Sequence, residues 1–290
     1  MSAGRTRRAL LRAGAVLPLA VAFARAGRAA ERRPVDALAA LERTTGGRLG
    51  VCAIDTDSGA RVGYRDDERF PFCSTFKLVL AAAALDRDAR APGFLDERLA
   101  YQAADVVPYS PISGEHVGAG MTVAALCDAA VRYSDNTAAN VVAKRLGGPA
   151  AVTAFARSIG DATFRLDRPE TALNTAVPDD PRDTTTPSAM AATVRRLVVD
   201  DALPAPQRAR LQDWLRNNTT GDRRIRAGVP SGWAVGDKTG TGDRGTANDV
   251  GVLWRPGTAP LVLVVFHTFG DVDARPSDAV VAAATRIAVG

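Results

Sequence analysis

The sequence predicts a fold of the α/β (α+β) class, in which an antiparallel five-stranded sheet is flanked by terminal helices and an all-helical domain is inserted into the chain. Two observations favour this fold. Segments with strand character lie near both ends of the 290-residue chain, and segments with helical periodicity lie between them. We therefore expect an α/β domain formed by residues 31–70 and 216–290, an all-helical domain of residues 71–215, and a cleft between the two.

Five segments have the composition of β-strands. The first two are separated by Asp57-Ser58-Gly59, a turn sequence that predicts a hairpin. The other three follow Gly232 and are separated by glycine and proline turns. The predicted strands are Leu49–Asp55, Ala60–Tyr64, Trp233–Thr239, Asn248–Trp254 and Leu261–Phe269.

The middle of the chain is rich in alanine, and its apolar residues recur at the three- and four-residue spacing of helices. Thr122 and Pro187 stand where helix starts are expected. Residues 165–186 form a long irregular segment rich in Pro, Asp and Thr, and a loop of such length is usually functional or disordered. The predicted helices are Lys77–Leu85, Val123–Tyr133, Thr137–Leu146, Ala150–Ile159, Pro187–Val199, Pro206–Arg216 and Pro276–Val289.

The positive charge of the chain is concentrated at its beginning. The whole sequence has 37 Lys and Arg against 32 Asp and Glu, but residues 1–30 contain six of the arginines and no acid, which leaves 31 bases against 32 acids. Because the remainder is nearly neutral and has no basic patch with interleaved aromatic residues, a nucleic-acid partner is not expected.

Residues 1–30 have the features of a signal peptide. Arg7 and Arg8, followed by an apolar run over residues 13–24, resemble a twin-arginine export motif. The run is shorter than the roughly 20 residues that span a bilayer, so we favour cleavage over an uncleaved anchor. A periplasmic or secreted product without stable membrane association is expected, and export by the general secretory route stays an alternative.

The cysteines and histidines indicate no cofactor. Cys52, Cys73 and Cys127 cannot all pair within one chain, and each lies among apolar residues, so we expect buried free thiols. His116 and His267 have no metal-ligand spacing with Cys, Asp or Glu. We therefore expect neither a metal ion nor an organic cofactor.

The sequence Ser74-Thr75-Phe76-Lys77 is the first indication of chemistry. Residues three apart on a helix are neighbours, so Lys77 can lie beside Ser74 Oγ and accept its proton. A serine hydroxyl becomes a nucleophile only when a base takes that proton. The pattern alone is common, however, and a solvated Ser and Lys at a helix start would explain it equally well.

Three further motifs follow in a fixed order, and the set of four is far more specific than any one of them. They are Ser134-Asp135-Asn136 after a predicted helix, Arg168-Pro169-Glu170-Thr171-Ala172-Leu173-Asn174 in the irregular segment, and Lys238-Thr239-Gly240-Thr241-Gly242 at the end of a predicted strand. S-x-x-K, S-D-N and K-T-G together are the signature of class A serine β-lactamases. The chain resembles this family from about residue 35 to its last helix, which implies the β-lactamase/D,D-peptidase fold.

The resemblance implies a role for each member of the central group. Ser74 would attack the lactam carbonyl, and the backbone N–H groups of Ser74 and Thr241 would hold the resulting oxyanion. Ser134 would pass a proton to the ring nitrogen. Lys77 and Lys238 would tune the acidity of Ser134.

The irregular segment would supply the residues for deacylation. The resemblance implies that Glu170 activates the water that hydrolyses the acyl-enzyme and that Asn174 helps to hold this water. Whether Lys77 or Glu170 acts as the base in acylation is disputed for the family and stays open here. Arg168 and Asp183 are expected to pair across the neck of the segment in a structural role.

The remaining implied contacts bind the substrate. Asn136 would hydrogen-bond the amide of the substrate's side chain. Arg224, Thr239 and Thr241 would hold its carboxylate, a task that suits the bidentate geometry of a guanidinium. Tyr109 resembles the aromatic residue at the mouth of the family's cleft.

Two departures from relatives concern cysteines. Many family members have a disulfide to the helix that contains Cys127, but the position matching its partner is Ala81. Some carbapenem-hydrolysing members pair a cysteine matching Cys73 with one matching Gly242. This feature therefore gives no support for carbapenem hydrolysis, and turnover of oxyimino-cephalosporins stays open.

The sequence thus predicts a monomeric, exported hydrolase that opens the β-lactam ring of penicillins and cephalosporins through a serine acyl-enzyme and confers antibiotic resistance. A penicillin-binding D,D-peptidase is the main alternative, because it would share the Ser74, Lys77, Ser134 and Lys238 pattern, although not the Glu170 segment. A β-lactam-sensing receptor is a second alternative, but it would need a membrane helix and a signalling domain.

Overall fold

A computed structural model describes residues 33–290. The predicted signal peptide of residues 1–30 lies outside the described residues and stays a prediction. No helix within the described part of the chain is long and apolar enough to cross a membrane.

The predicted five-stranded antiparallel sheet is confirmed. The strands are β1 (Arg48–Asp55), β2 (Arg61–Tyr64), β3 (Phe70–Pro71), β4 (Arg98–Leu99), β5 (Met121–Thr122), β6 (Thr184–Thr185), β7 (Ala234–Gly242), β8 (Thr246–Trp254) and β9 (Leu261–Thr268). The main sheet has the order β2-β1-β9-β8-β7, and all its neighbouring strands are antiparallel. The strands from the end of the chain therefore lie beside those from its beginning, with β7 at an edge.

The helices follow the predicted pattern closely. They are α1 (33–45), α2 (Phe76–Arg90), α3 (Val123–Arg132), α4 (Asn136–Leu146), α5 (Pro149–Ser158), α6 (Pro187–Val198), α7 (Ala205–Arg216), α8 (Ile225–Gly228) and α9 (Asp278–Val289). Thr122 caps α3 by accepting a hydrogen bond from the N–H of Ala125. Pro187 begins α6, where its missing N–H leaves no hydrogen bond unmade.

Both faces of the sheet are covered because side chains alternate along each strand. Val51 of β1 belongs to a core that includes Leu38 of α1 and Val281 of α9. The neighbouring Cys52 belongs to the larger core on the opposite face, which also contains Met190 of α6. The terminal helices thus flank one face, as predicted, and the helical part of the chain covers the other.

Helix α2 lies at the centre of the helical part. Its first ten residues are all buried, and it packs against α3, α4, α5 and α7. A helix that is apolar on every side is stable only when it is surrounded, and the four consecutive alanines 81–84 let its neighbours approach. The nucleophile candidate Ser74 directly precedes this helix, so it is held by the most enclosed element of the fold.

Several boundaries differ from the predicted ones. Helix α2 continues to Arg90, five residues beyond the prediction, although its last five residues are half-buried or exposed. Strand β7 extends to Gly242, since its ladder with β8 continues to Thr246. The short pairs β3–β6 and β4–β5 were too brief to show a sequence pattern. The domain boundaries stay a prediction, and the larger core continues across them.

Candidate active site

Ser74 lies in a single 3-10 turn, Cys73–Thr75, that leads directly into α2. Cys73 has φ 48°, in the left-handed region, so the chain bends sharply just before the serine. Strand β7 passes close to this turn at Gly240, where a Cβ atom would lie 2.6 Å from the carbonyl oxygen of Phe72. The absence of a side chain on Gly240 is therefore what lets the K-T-G strand reach the serine.

Lys77 is completely buried, and its Nζ atom has three acceptors. It donates to the carbonyl oxygen of Ser134 at 2.7 Å and to Asn136 Oδ1 at 2.6 Å, and it lies 3.0 Å from Glu170 Oε1. Three acceptors match the three N–H groups of an ammonium. Burial lowers the pKa of Lys77 and the carboxylate of Glu170 opposes this shift.

This arrangement concerns the base that the sequence left open between Lys77 and Glu170. No hydrogen bond joins the side chains of Ser74 and Lys77 within residues 33–290. Ser74 Oγ instead donates to Glu170 Oε1 at 3.0 Å, the same oxygen that Lys77 approaches. Helical spacing placed the two residues on one side of the turn, but it could not show that a carboxylate from a distant segment lies between them.

Glu170 is only 3% exposed and is held from several sides. Asn174 Nδ2 donates to its Oε2 atom at 2.6 Å. Its backbone is clamped by Asn140, which donates to the carbonyl oxygen of Glu170 at 2.8 Å and accepts from its N–H at 2.9 Å. The oxygen of the Asn174 side-chain amide, Oδ1, is buried and has no hydrogen-bond partner among residues 33–290.

The neck of the irregular segment is closed by the predicted ion pair. Arg168 Nε lies 2.6 Å from Asp183 Oδ2. Asp183 is fully buried, and its other oxygen accepts the backbone N–H groups of Asp167 and Arg168 at 2.7 and 3.0 Å. The two ends of the segment that carries Glu170 are therefore tied together.

The second lysine lies on the other side of the cleft. Lys238 of β7 donates to Ser134 Oγ at 3.0 Å and to the carbonyl oxygen of Thr239 at 2.8 Å. Burial, together with the nearby charge of Lys77, lowers the pKa of Lys238 well below its ordinary value. Ser134 has φ 58°, and the following Asp135 caps α4, so the S-D-N motif is a strained turn fixed by a helix start.

Arg224 is buried beside the end of β7. It donates to Thr241 Oγ1 at 2.7 Å and to the carbonyl oxygens of Gly240 and Asn248, both at 2.8 Å. Asp278, at the start of α9, pairs with its Nε atom at 2.7 Å. The guanidinium is thus fixed beside the hydroxyl-bearing edge of β7, and its role in holding the substrate carboxylate stays a prediction.

Tyr109 lies at the rim and is 61% exposed. Its φ is 64°, and its carbonyl oxygen accepts from the backbone N–H of Asn136 at 3.0 Å. The side chain of Asn136 in turn donates to the carbonyl oxygen of Pro108 at 2.8 Å. The loop that carries the exposed ring is therefore attached to the S-D-N turn.

The site contains one further residue, Asn140, that the sequence analysis missed. Asn140 follows Asn136 by four residues on α4, so both lie on one helix face; Asn136 contacts Lys77, and Asn140 contacts Glu170 of the irregular segment. That spacing was the available signal. No group of three or more His, Cys, Asp or Glu side chains in the described range is arranged to hold a metal ion.

Comparison with known proteins decides the family. The model of the β-lactamase enzyme family matches residues 33–289, almost the whole described chain. The chain belongs to the class A β-lactamase family. As a β-lactamase, it is a hydrolase that acts on the cyclic amide of β-lactams.

Relatives match across nearly the full length of this β-lactamase. The carbapenem-hydrolysing β-lactamase KPC of Klebsiella oxytoca is 54% identical over 255 residues, which are 88% of this chain and 87% of KPC. β-Lactamase AST-1 of Nocardia asteroides is 55% identical over 251 residues, 87% of this chain and 81% of AST-1.

Solved structures match the fold as well. A β-lactamase from Desulfarculus baarsii has a TM-score of 0.87 at 54% identity and covers 89% of this chain and 96% of its own. A variant of the reconstructed last common ancestor of class A β-lactamases of Gram-negative bacteria has a TM-score of 0.86 at 57% identity, covering 88% of this chain and 97% of its own.

The cysteines of this β-lactamase are all buried free thiols, as predicted. Burial raises the pKa of the Cys52 and Cys127 thiols to about 12 and raises that of Cys73 as well. Cys73 Sγ lies 2.6 Å from the position that a Cβ atom on Gly242 would take. The turn before the nucleophile and the end of β7 are thus in direct contact without a covalent link.

Proposed function

We propose that this β-lactamase hydrolyses penicillins and cephalosporins through an acyl-enzyme on Ser74. The observation that carries the proposal is the position of Glu170 Oε1, which lies 3.0 Å from both Ser74 Oγ and Lys77 Nζ. The candidate nucleophile Ser74 and the cation Lys77 therefore both contact one buried oxygen of the candidate base, Glu170.

In acylation, Glu170 takes the proton of Ser74 as the hydroxyl attacks the carbonyl. Two observations support this assignment over a direct role of Lys77. Ser74 Oγ already donates to Glu170, and the three contacts of Lys77 Nζ account for all the N–H groups of its ammonium form, which has no free lone pair. Before this transfer, Lys77 holds Glu170 in its carboxylate form through their 3.0 Å contact.

The oxyanion is held by the backbone N–H groups of Ser74 and Thr241, which lie on the turn before α2 and on the edge strand β7. Loss of one such donor typically lowers the rate about 10²–10³-fold. Ser134 delivers a proton to the leaving nitrogen, and the 3.0 Å hydrogen bond from Lys238 favours the charged form of its oxygen during that transfer. Lys77 then gives a proton to Ser134 and takes the one that Glu170 received from Ser74, so that Glu170 is a carboxylate again before deacylation.

In deacylation, Glu170 activates a water molecule toward the ester carbonyl. Asn174 lies beside it, and its buried Oδ1 atom is free to accept a hydrogen bond from that water. The return of the proton from Glu170 to Ser74 completes the cycle, since Glu170 Oε1 and Ser74 Oγ are within hydrogen-bond distance in the free enzyme.

Substrate binding uses the walls of the cleft. Asn136 hydrogen-bonds the side-chain amide, and Tyr109 covers the cleft mouth. The carboxylate is held by Thr239 and Thr241, with Arg224 supplying positive charge from behind Thr241 at 2.7 Å. We assign no carbapenem hydrolysis, although KPC is named for it.

The enzyme acts as an exported monomer. We propose that residues 1–30 direct it to the periplasm or the medium, most simply by the twin-arginine route, and that it protects the producing cell against β-lactam antibiotics. The helical residues 71–215 and the α/β residues 31–70 and 216–290 form its two domains.

Mass spectrometry of two variants tests the proposal. With penicillin, the Glu170→Ala enzyme should form the adduct on Ser74 more slowly than the wild type, because the acylation base is lost, and should then retain it, because water is no longer activated, whereas Ser74→Ala should give none. Glu115→Ala, which removes an exposed carboxylate, is the matched control and should turn over the drug like the wild type. Wild-type turnover by Glu170→Ala would refute the assignment.

The same experiment distinguishes a β-lactamase from the main alternative, a D,D-peptidase. A D,D-peptidase would accumulate a long-lived adduct in the wild type itself, whether or not Glu170 is present. Repeated turnover by the wild type, with an adduct that persists only in Glu170→Ala, is expected here.

A further inference from the structure

A cavity of about 690 Å³ lies behind the irregular segment, outside the candidate active site. One side, the sheet wall, is formed by residues 47–48, 68–71 and 268–270 at the ends of β1 and β9 and around β3. The other side, the loop wall, is formed by residues within 168–184. A volume of this size suits a small organic ligand.

The loop wall connects the cavity to the catalytic segment. Leu173 and Ala176 line the cavity, and they stand on either side of Asn174, whose amide contacts Glu170. None of the proposed catalytic residues is part of the lining. The cavity and the substrate cleft are therefore separate spaces that share one segment of chain.

The sheet wall carries positive charge that is poorly compensated. Within the described residues no carboxylate lies in ion-pair distance of Arg69, whose guanidinium donates only to the hydroxyl and carbonyl oxygens of Thr184. Burial lowers the pKa of Arg69, the like charges of Arg165 and Arg157 lower it further, and the carboxylates of Asp161 and Asp167 oppose this shift. Such a field attracts anions.

Arg48 adds to this charge. Its Nε atom is buried without a hydrogen-bond partner among the described residues, and the nearest carboxylate, Glu68, is 3.9 Å away and also lines the cavity. Its Nη2 atom donates to the carbonyl oxygen of Arg69, and its guanidinium lies over the Phe70 ring at 4.2 Å. Glu68 is already paired with Arg65 at 3.0 Å. The two arginines of the loop wall, by contrast, have close partners: Arg168 pairs with Asp183, and Arg182 pairs with Asp180.

We propose that this cavity binds a small anion with an apolar aromatic body, an aryl sulfonate or aryl carboxylate, whose charge is held by Arg48 and Arg69. Guanidinium groups bind such planar or branched anions through paired N–H donors. The apolar body of the ligand contacts Pro71, Leu173 and Phe269, which line the same space.

The ligand binds together with substrate and does not replace it. The cavity exists in the conformation in which Glu170 contacts Ser74, so a ligand that fills it favours this conformation. Asp179 lies in the loop wall and is exposed, which directs the anionic end of the ligand toward the sheet wall. Binding is expected to raise the melting temperature of the enzyme.

Fluorescence titration with 8-anilino-1-naphthalenesulfonate tests the site on the intact enzyme. The double variant Arg48→Gln, Arg69→Gln should bind the dye at least tenfold more weakly than the wild type. Arg145→Gln is the control, because it removes an exposed arginine that pairs with Glu97 and does not line the cavity. It should change the dye affinity less than twofold.

Two further titrations on the wild type distinguish this site from other dye sites. Saturating phenylboronic acid, which binds a nucleophilic serine, should leave the dye affinity unchanged, and the uncharged N-phenyl-1-naphthylamine should bind at least tenfold more weakly than the sulfonate. Displacement by the boronic acid, equal binding of the uncharged dye, or unchanged binding by the folded double variant would each overturn the proposal. No arm depends on β-lactam turnover, so the outcome is independent of the proposed mechanism.

Discussion

Replacing Asn140 by alanine should slow deacylation, because this side chain holds the backbone of Glu170 through two hydrogen bonds of 2.8 and 2.9 Å. Each such bond contributes about 0.5–1.5 kcal/mol, so the clamp contributes about 2 kcal/mol in total. Since about 1.4 kcal/mol corresponds to a factor of ten, the balance between the held and released positions of Glu170 should shift roughly 30-fold.

The lifetime of the acyl-enzyme measures this effect directly. After a brief reaction with penicillin and removal of the excess drug, mass spectrometry should show that the adduct on Asn140→Ala decays roughly 10- to 30-fold more slowly than on the wild type. Loss of the clamp should also lower the melting temperature by about 4–8 °C.

The matched control is Asn217→Ala. Its amide is exposed and contacts only Asp213 of the same helix, so the adduct lifetime should not change. If Asn140→Ala were destabilised as expected but released the drug at the wild-type rate, the clamp would be purely structural and the reasoning about Glu170 would be refuted.

Two other changes test contacts around the site. Gly242→Cys should form a disulfide with Cys73 on mild oxidation, because the new Cβ atom would lie 2.6 Å from Sγ. The variant has four cysteines, three native and one added, and two of them would be paired. Titration of the denatured variant should then find two free thiols, and four thiols would contradict the geometry. Asp249→Asn should gain stability relative to the wild type as pH rises. Burial, reinforced by the charge of Asp237, raises the pKa of the Asp249 carboxyl, so in the wild type the unfolded chain releases a proton above about pH 4 that the folded protein retains. In urea unfolding, the free energy of unfolding of the variant minus that of the wild type should grow by up to about 1.4 kcal/mol per pH unit until the raised pKa of Asp249 is reached. A difference that does not change with pH would contradict this prediction.

Much of the candidate site was predictable because its motifs are local. Ser74, Ser134 and Lys238 each stand at the junction of a helix or strand with a turn, and these junctions are visible in periodicity and in turn residues. The structure places all three at one cleft. The roles assigned to them rest on chemistry and on family membership and stay predictions.

The contacts that cross long distances in the chain were not predictable. Ser74 and Glu170 are 96 residues apart, and nothing in the sequence indicated the 3.0 Å hydrogen bond between their side chains. Asn140 reaches the same segment from α4. Sequence spacing reports neighbours along one element, whereas these contacts depend on how separate elements pack.

The amino-acid sequence by itself determined the order of strands and helices and the antiparallel sheet, because periodicity and turn chemistry act over a few residues, and its motifs named the candidate reactive side chains. Only the tertiary structure decided which oxygen accepts the hydrogen bond of Ser74, which amide clamps Glu170, and which arginines lie beside the cavity. The reason is that hydrogen bonding and burial act through space, between residues that the chain itself keeps far apart.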